Sequence, residues 1–93
     1  MAKQELIITK LFTNRDEVVE KMHELGFFGG YAALRDEFNE GLQNPNGHTE
    51  HWASNGVNEV KIMTNPWNPE EYQLMNSRRV NNETINALFA VAH

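Results

Sequence analysis

The chain has no cysteine among its 93 residues. That excludes a disulfide framework, a thiolate zinc site and a cysteine nucleophile. Proline (3) and glycine (6) are scarce, which excludes collagen-like and low-complexity architectures. No long hydrophobic run exists. The longest, Ala87 to Ala92, is far too short to span a bilayer. The opening Met-Ala-Lys-Gln-Glu is followed only by Leu-Ile-Ile, which does not compose a secretory leader, so a cytoplasmic location is expected. Bases are also few, eight against thirteen acids. Non-specific binding to nucleic acid or to an anionic membrane needs a face of Lys and Arg, so neither partner is expected.

What is present is globular in kind. The hydrophobic fraction is 40%, with nine aromatic residues, enough to seed one core and one domain over residues 1–93. The charge is uneven. From Leu11 to Glu50 stand eight acids and three bases, which is the whole net charge of −5. The remainder balances at five of each.

The first segment, Leu6-Ile7-Ile8-Thr9-Lys10-Leu11-Phe12, is rich in β-branched and large apolar residues and reads as a strand. Being apolar on both faces, it is expected at a central position. Thr13 or Asn14 then caps a helix. With Asn14 as cap, Glu17 falls where its carboxylate reaches back to the cap N–H. Val18, Val19, Met22 and Leu25 give the helix its buried stripe, and Gly26 stops it in a left-handed conformation. Phe27-Phe28-Gly29-Gly30 forms an elbow. A second helix runs from about Tyr31 to Leu42, with Tyr31, Leu34, Phe38 and Leu42 on one face. Asn44-Pro45-Asn46-Gly47 is a turn by composition.

Asn55-Gly56 is the strongest local signal. It separates Thr49–Ser54 from Val57–Met63, and its two residues suit the positive φ angles of a tight hairpin. A two-residue loop sets Ser54 opposite Val57 and Glu50 opposite Lys61, a pair of opposite charges. Asn68-Pro69-Glu70-Glu71 then reads as a helix opening, with cap, proline and first-turn acids. Its apolar face begins at Tyr72, Leu74 and Met75, lapses between Asn76 and Asn82, and resumes at Ile85, Leu88 and Phe89. Residues 69–92 thus form one helix with a polar middle, or two. The order is β-α-α-β-β-α: a three-stranded antiparallel sheet packed on helices, an α+β domain.

Three constellations could bear chemistry. His48, Glu50 and His51 offer metal-ligand chemistry, but on a strand the two imidazoles alternate faces, and the spacing is not that of a helix-borne zinc motif. No metal and no cofactor is expected. Trp67 with Arg78 and Arg79 joins a stacking plate to two guanidinium forks, which suits a nucleotide-like anion. On a continuous helix, Arg78 and Arg79 would lie one turn beyond Leu74 and Met75 and interrupt a buried stripe. Phe27, Phe28 and Tyr31 cluster at the elbow, either as a partner-binding knob or as core between two helices. The glycines lack both phosphate-loop and dinucleotide spacing, and no nucleophile elbow is present.

Glu71-Tyr72-Gln73-Leu74-Met75-Asn76-Ser77-Arg78-Arg79 resembles a helix of the small phage proteins that sequester cyclic oligonucleotide signals. The likeness covers nine of 93 residues. The tyrosine that such proteins carry upstream is replaced here by Thr64 or Trp67, so no membership follows. What the resemblance implies is an anionic-ligand site around Arg78 and Arg79, on a helix.

No catalytic motif emerges, so the chain is expected to be no enzyme. The leading expectation is a small acidic interaction protein, an inhibitor, adaptor or regulator of a larger partner with a basic surface. Asp16, Glu20, Glu24, Asp36, Glu37 and Glu40 would make the contact, in one variant by mimicking the phosphates of a nucleic acid. The alternative is an anion-binding module built on Trp67, Arg78 and Arg79. Twelve asparagines suit polar hydrogen-bonding surfaces beyond turns. The apolar stretch Ala87–Ala92 could pack internally or close a homodimer seam.

Overall fold

The structure is a computed structural model, and it describes residues 9–43, 50–65, 67–68, 70–76 and 83–93. The elements, in chain order, are β1 (Thr9–Phe12), α1 (Arg15–Glu24), α2 (Ala32–Gln43), β2 (Glu50–Ser54), β3 (Glu59–Thr64), β4 (Tyr72–Asn76) and α3 (Glu83–Val91). The class is α+β, as the sequence suggests. Among the described residues, however, the sheet has four antiparallel strands rather than three, in the order β1-β4-β3-β2.

The fourth strand is the segment expected to start a helix. Tyr72, Leu74 and Asn76 are buried while Gln73 and Met75 are half-buried, which is the period-two pattern of a strand. Asn68 opens no helix. Its side chain accepts the Glu70 N–H (3.3 Å) and its carbonyl accepts the Glu71 N–H (3.0 Å), turning the chain into β4. Asx turns and helix caps use the same residue type in the same way, so the local signal was ambiguous.

Two further expectations change. β1 is an edge of the described sheet, paired only with β4, and Leu11 on its outer side is exposed. Leu6, Ile7 and Ile8 lie outside the described residues. The β2–β3 hairpin is shifted by two residues from the expected register. Ser54 faces Glu59 and Glu50 faces Met63. The cause is the turn. Asn55 keeps a negative φ, and only Gly56 is positive, at +91°. The Asn55 side chain accepts the N–H groups of Val57 (3.0 Å) and Asn58 (2.7 Å), so Gly56-Val57 become the tip. A shift of two preserves which face each side chain occupies. Glu50 and Lys61 therefore still meet, diagonally, at 3.4 Å.

All three helices lie on one face of the sheet. Phe12, Ala53, Val60, Ile62, Tyr72 and Leu74 point into the same buried cluster as α1, α2 and α3. α1 lies between the other two helices. It contributes Val18, Val19 and Met22, and it stops at Gly26 with φ +85°, as the sequence indicated. α3 turns Ile85, Leu88 and Phe89 inward, and Ala92 is fully buried. Leu88, Phe89 and Ala92 of the apolar C-terminal stretch thus pack internally, while Ala90 is exposed. Asn14 does not cap α1 through its side chain. Instead its amide donates to the Val91 carbonyl (2.8 Å) and its carbonyl oxygen accepts the His93 N–H (2.8 Å), tying α3 to the start of α1. Glu17 meets the Asn14 side-chain amide (3.4 Å) rather than its backbone.

Candidate functional site

The apolar stripe predicted on α2 does not stay inside the core. Leu42 is fully buried and Phe38 is half-buried, but Leu34 is 50% and Tyr31 67% exposed. The first turns of α2 thus emerge from the core and leave a groove beside strand β2. The groove has a volume of about 770 Å³. Tyr31, Leu34, Glu37 and Phe38 line one wall, and residues Glu50 to Ser54 of β2 line the other. Phe27 and Phe28 are buried at its end. The elbow aromatics therefore divide: two belong to the core, and Tyr31 stands outside it.

His51 lies within the groove. Its ring meets Phe38 edge-on, with centroids 5.9 Å apart. Gly41 makes the room, since a Cβ there would stand 3.1 Å from the imidazole Cε1. Burial pushes the His51 pKa below the ordinary 6.5, because desolvation disfavours the charged ring. Phe28 meets Phe38 at 5.3 Å and continues the aromatic floor.

The six acids of the expected contact face fall on α1 and α2. Asp16, Glu20 and Glu24 recur every four residues along α1 and form one stripe. Asn39 of α2 donates to Asp16 (3.5 Å) and Arg35 donates to Glu20 (3.1 Å), so that stripe borders the α1–α2 seam. Three bases are interleaved. Arg15 pairs with Asp16, Lys21 with Glu24, and Arg35 with both Glu20 and Asp36, each at 3.1–3.5 Å. Glu37 and Glu40 meet no cation among the described residues, and Glu37 lines the groove.

Trp67 is 90% exposed and lies beside Leu11, Met63 and Gln73, on the side of the sheet that no described helix covers. Arg78 and Arg79 lie outside the described residues. Leu74 and Met75, on which their expected helical placement depended, are in β4, so the nine-residue resemblance to a helix of the cyclic-oligonucleotide-binding proteins does not hold over its first part. His48 is also outside the described residues. His51 and Glu50 are neighbours on β2 and point to opposite faces. Among the described residues no group of three His, Asp or Glu side chains comes together to hold a metal ion. Among them, too, no helix is long and apolar enough to cross a membrane.

Comparison with protein-family models, curated proteins and solved structures returned no match, so the geometry alone bears the functional reading. Sequence reasoning missed the groove itself. Two signals bear on it: the aromatic and leucine stripe of α2 starts one turn before the rest of the core can cover it, and Gly41 interrupts a helix where Ala would be preferred.

Proposed function

We propose that the chain is a small, non-enzymatic protein-binding domain that docks a larger partner through the outer side of α2. One observation carries this reading. Tyr31, just before α2, and Leu34, in its first turn, are exposed large apolar side chains, and the same helix carries Glu37 and Glu40, which meet no cation among the described residues. Exposed apolar anchors beside acids without an internal cation mark an interaction surface. The charge favours a partner with a basic patch, which would be steered by the field and held by the apolar contact. A phosphate mimic is the weaker form of the idea, because Asp16, Glu20, Glu24 and Asp36 already have cationic partners.

The test is affinity purification at low and high salt, with the wild type beside an Asp36→Lys/Glu40→Lys double variant. A protein retained by the wild type, weakened by salt and lost on the variant is the expected result, with circular dichroism showing the variant folded. Equal retention by both chains, or a retained nucleic acid instead of a protein, overturns it. The alternative, a nucleotide-like anion at Trp67, Arg78 and Arg79, is favoured only by the exposure of the indole. It predicts a thermal shift with nucleotides that Arg79→Ala removes.

A further inference from the structure

We infer that the groove between α2 and β2 takes an extended, basic peptide segment that adds to the sheet as a strand beside β2. The inference rests on the protein-binding reading above and specifies how the partner is held.

The backbone supplies the first argument. β2 ends the described sheet and pairs only with β3. The Asn55 N–H donates to the Asn58 carbonyl at 3.1 Å, which makes residues 55 and 58 a hydrogen-bonded pair. Along an antiparallel ladder such pairs alternate. The opposed residues 53 and 60, then 51 and 62, are therefore the next bonded pairs. Trp52 and Ser54 consequently turn their N–H and C=O groups away from β3, toward the groove side. An edge of this kind is a template for strand addition.

The second argument is shape. Side chains of an added strand would alternate between the two faces of the sheet. Those on the helix-covered face would enter the groove against Tyr31, Leu34 and Phe38. That wall is apolar and partly open, and α2 covers one side of the incoming strand. Alternate apolar residues in the ligand match it.

Charge selects the occupant. Glu37 lines the groove without a cation among the described residues, and Glu40 follows three residues later on the same helix, also without one. A second copy of this chain, paired β2 to β2, would bring the acids of its own α2 beside these. Like charges so placed are unfavourable. A strand bearing Lys or Arg meets the same acids favourably.

The experiment is selection of the full-length protein against a random linear peptide library, followed by NMR shift mapping of one selected peptide. Enrichment of alternating apolar residues with Lys or Arg, and shifts along residues 50–54 and the first turns of α2, are expected. Ser54→Pro removes one outward N–H without removing a β3-ladder bond, and Ser54→Ala controls for the hydroxyl, which accepts the Gly56 N–H at 3.1 Å. The proline variant should weaken the peptide by about tenfold, the worth of one backbone hydrogen bond. Methylating the matching amide of the peptide should do the same on an unaltered protein. Glu37→Gln should relax the preference for a basic residue.

Failure to enrich peptides, enrichment of acidic ones, or shifts elsewhere overturns the inference. So does a dimer in solution that Ser54→Pro dissociates. A partner lost on Asp36→Lys/Glu40→Lys but indifferent to Ser54→Pro would leave protein binding standing and remove strand addition alone.

Discussion

Asn14 offers two distinguishable roles at one position. As a helix cap it would be replaceable by Ser, which caps as well as Asn. As the tie between α1 and α3 it would not be, because the Ser hydroxyl is too short to span to both Val91 and His93. The bonds at stake are two, each 2.8 Å long. A typical intramolecular hydrogen bond contributes about 1 kcal/mol, and one of these two is exposed, so the expected loss is about 1.5 kcal/mol. For a domain of this size that corresponds to a fall in Tm of roughly 6–12 °C. Asn14→Ala and Asn14→Ser should fall together. Thermal unfolding followed by circular dichroism measures the loss. Amide hydrogen exchange should locate it in α3, whose last carbonyls lose their partner. A Ser variant as stable as the wild type, beside a destabilised Ala variant, would refute the tie and restore the cap.

Two other outcomes follow from the core and the groove. Leu42 is fully buried beneath Tyr72, whose hydroxyl donates to the Leu42 carbonyl at 3.3 Å. Leu42→Ala should cost about 2–5 kcal/mol through lost burial and the cavity left behind, read as a lower denaturant midpoint; a loss under 1 kcal/mol would show that the packing at this end of α2 is loose. The lowered pKa of His51 means that the unfolded chain takes up its proton first as acidity rises. Its contribution is therefore complete above pH 6.5 and shrinks as the pH falls through the lower, folded value. Thermal melts across that range should show a smaller acid loss in His51→Gln than in the wild type, and parallel curves would contradict the assigned burial.

The local elements were readable where one residue has one physical meaning. Gly26 ends α1 because glycine alone takes φ +85° without penalty. Val18, Val19 and Met22 mark the inner face of α1 because only one face of a surface helix can be buried. Reading failed where a residue has two meanings. Asn55 suits a positive φ by residue type, but here it accepts backbone N–H groups with its side chain. Asn68 suits a helix cap equally well, but here it forms a turn. Asn65 does likewise, accepting the Trp67 N–H at 2.9 Å. Several of the asparagines thus serve turns and the α1–α3 tie rather than an outer surface.

By itself, then, the amino-acid order determined the α+β class, the two leading helices, a hairpin between Glu50 and Thr64, and the acidity of the helical half. These follow from periodicity, turn chemistry and charge, all of which act over a few neighbouring residues. Tertiary structure decided the rest. It made Tyr72–Asn76 the strand that joins β1 to β3, because a period-two segment with two available partners gains a ladder on each side. It also decided that the stripe should leave the core at Leu34 and Tyr31, since burial depends on what lies opposite, and beyond β2 no further described strand is there to cover them.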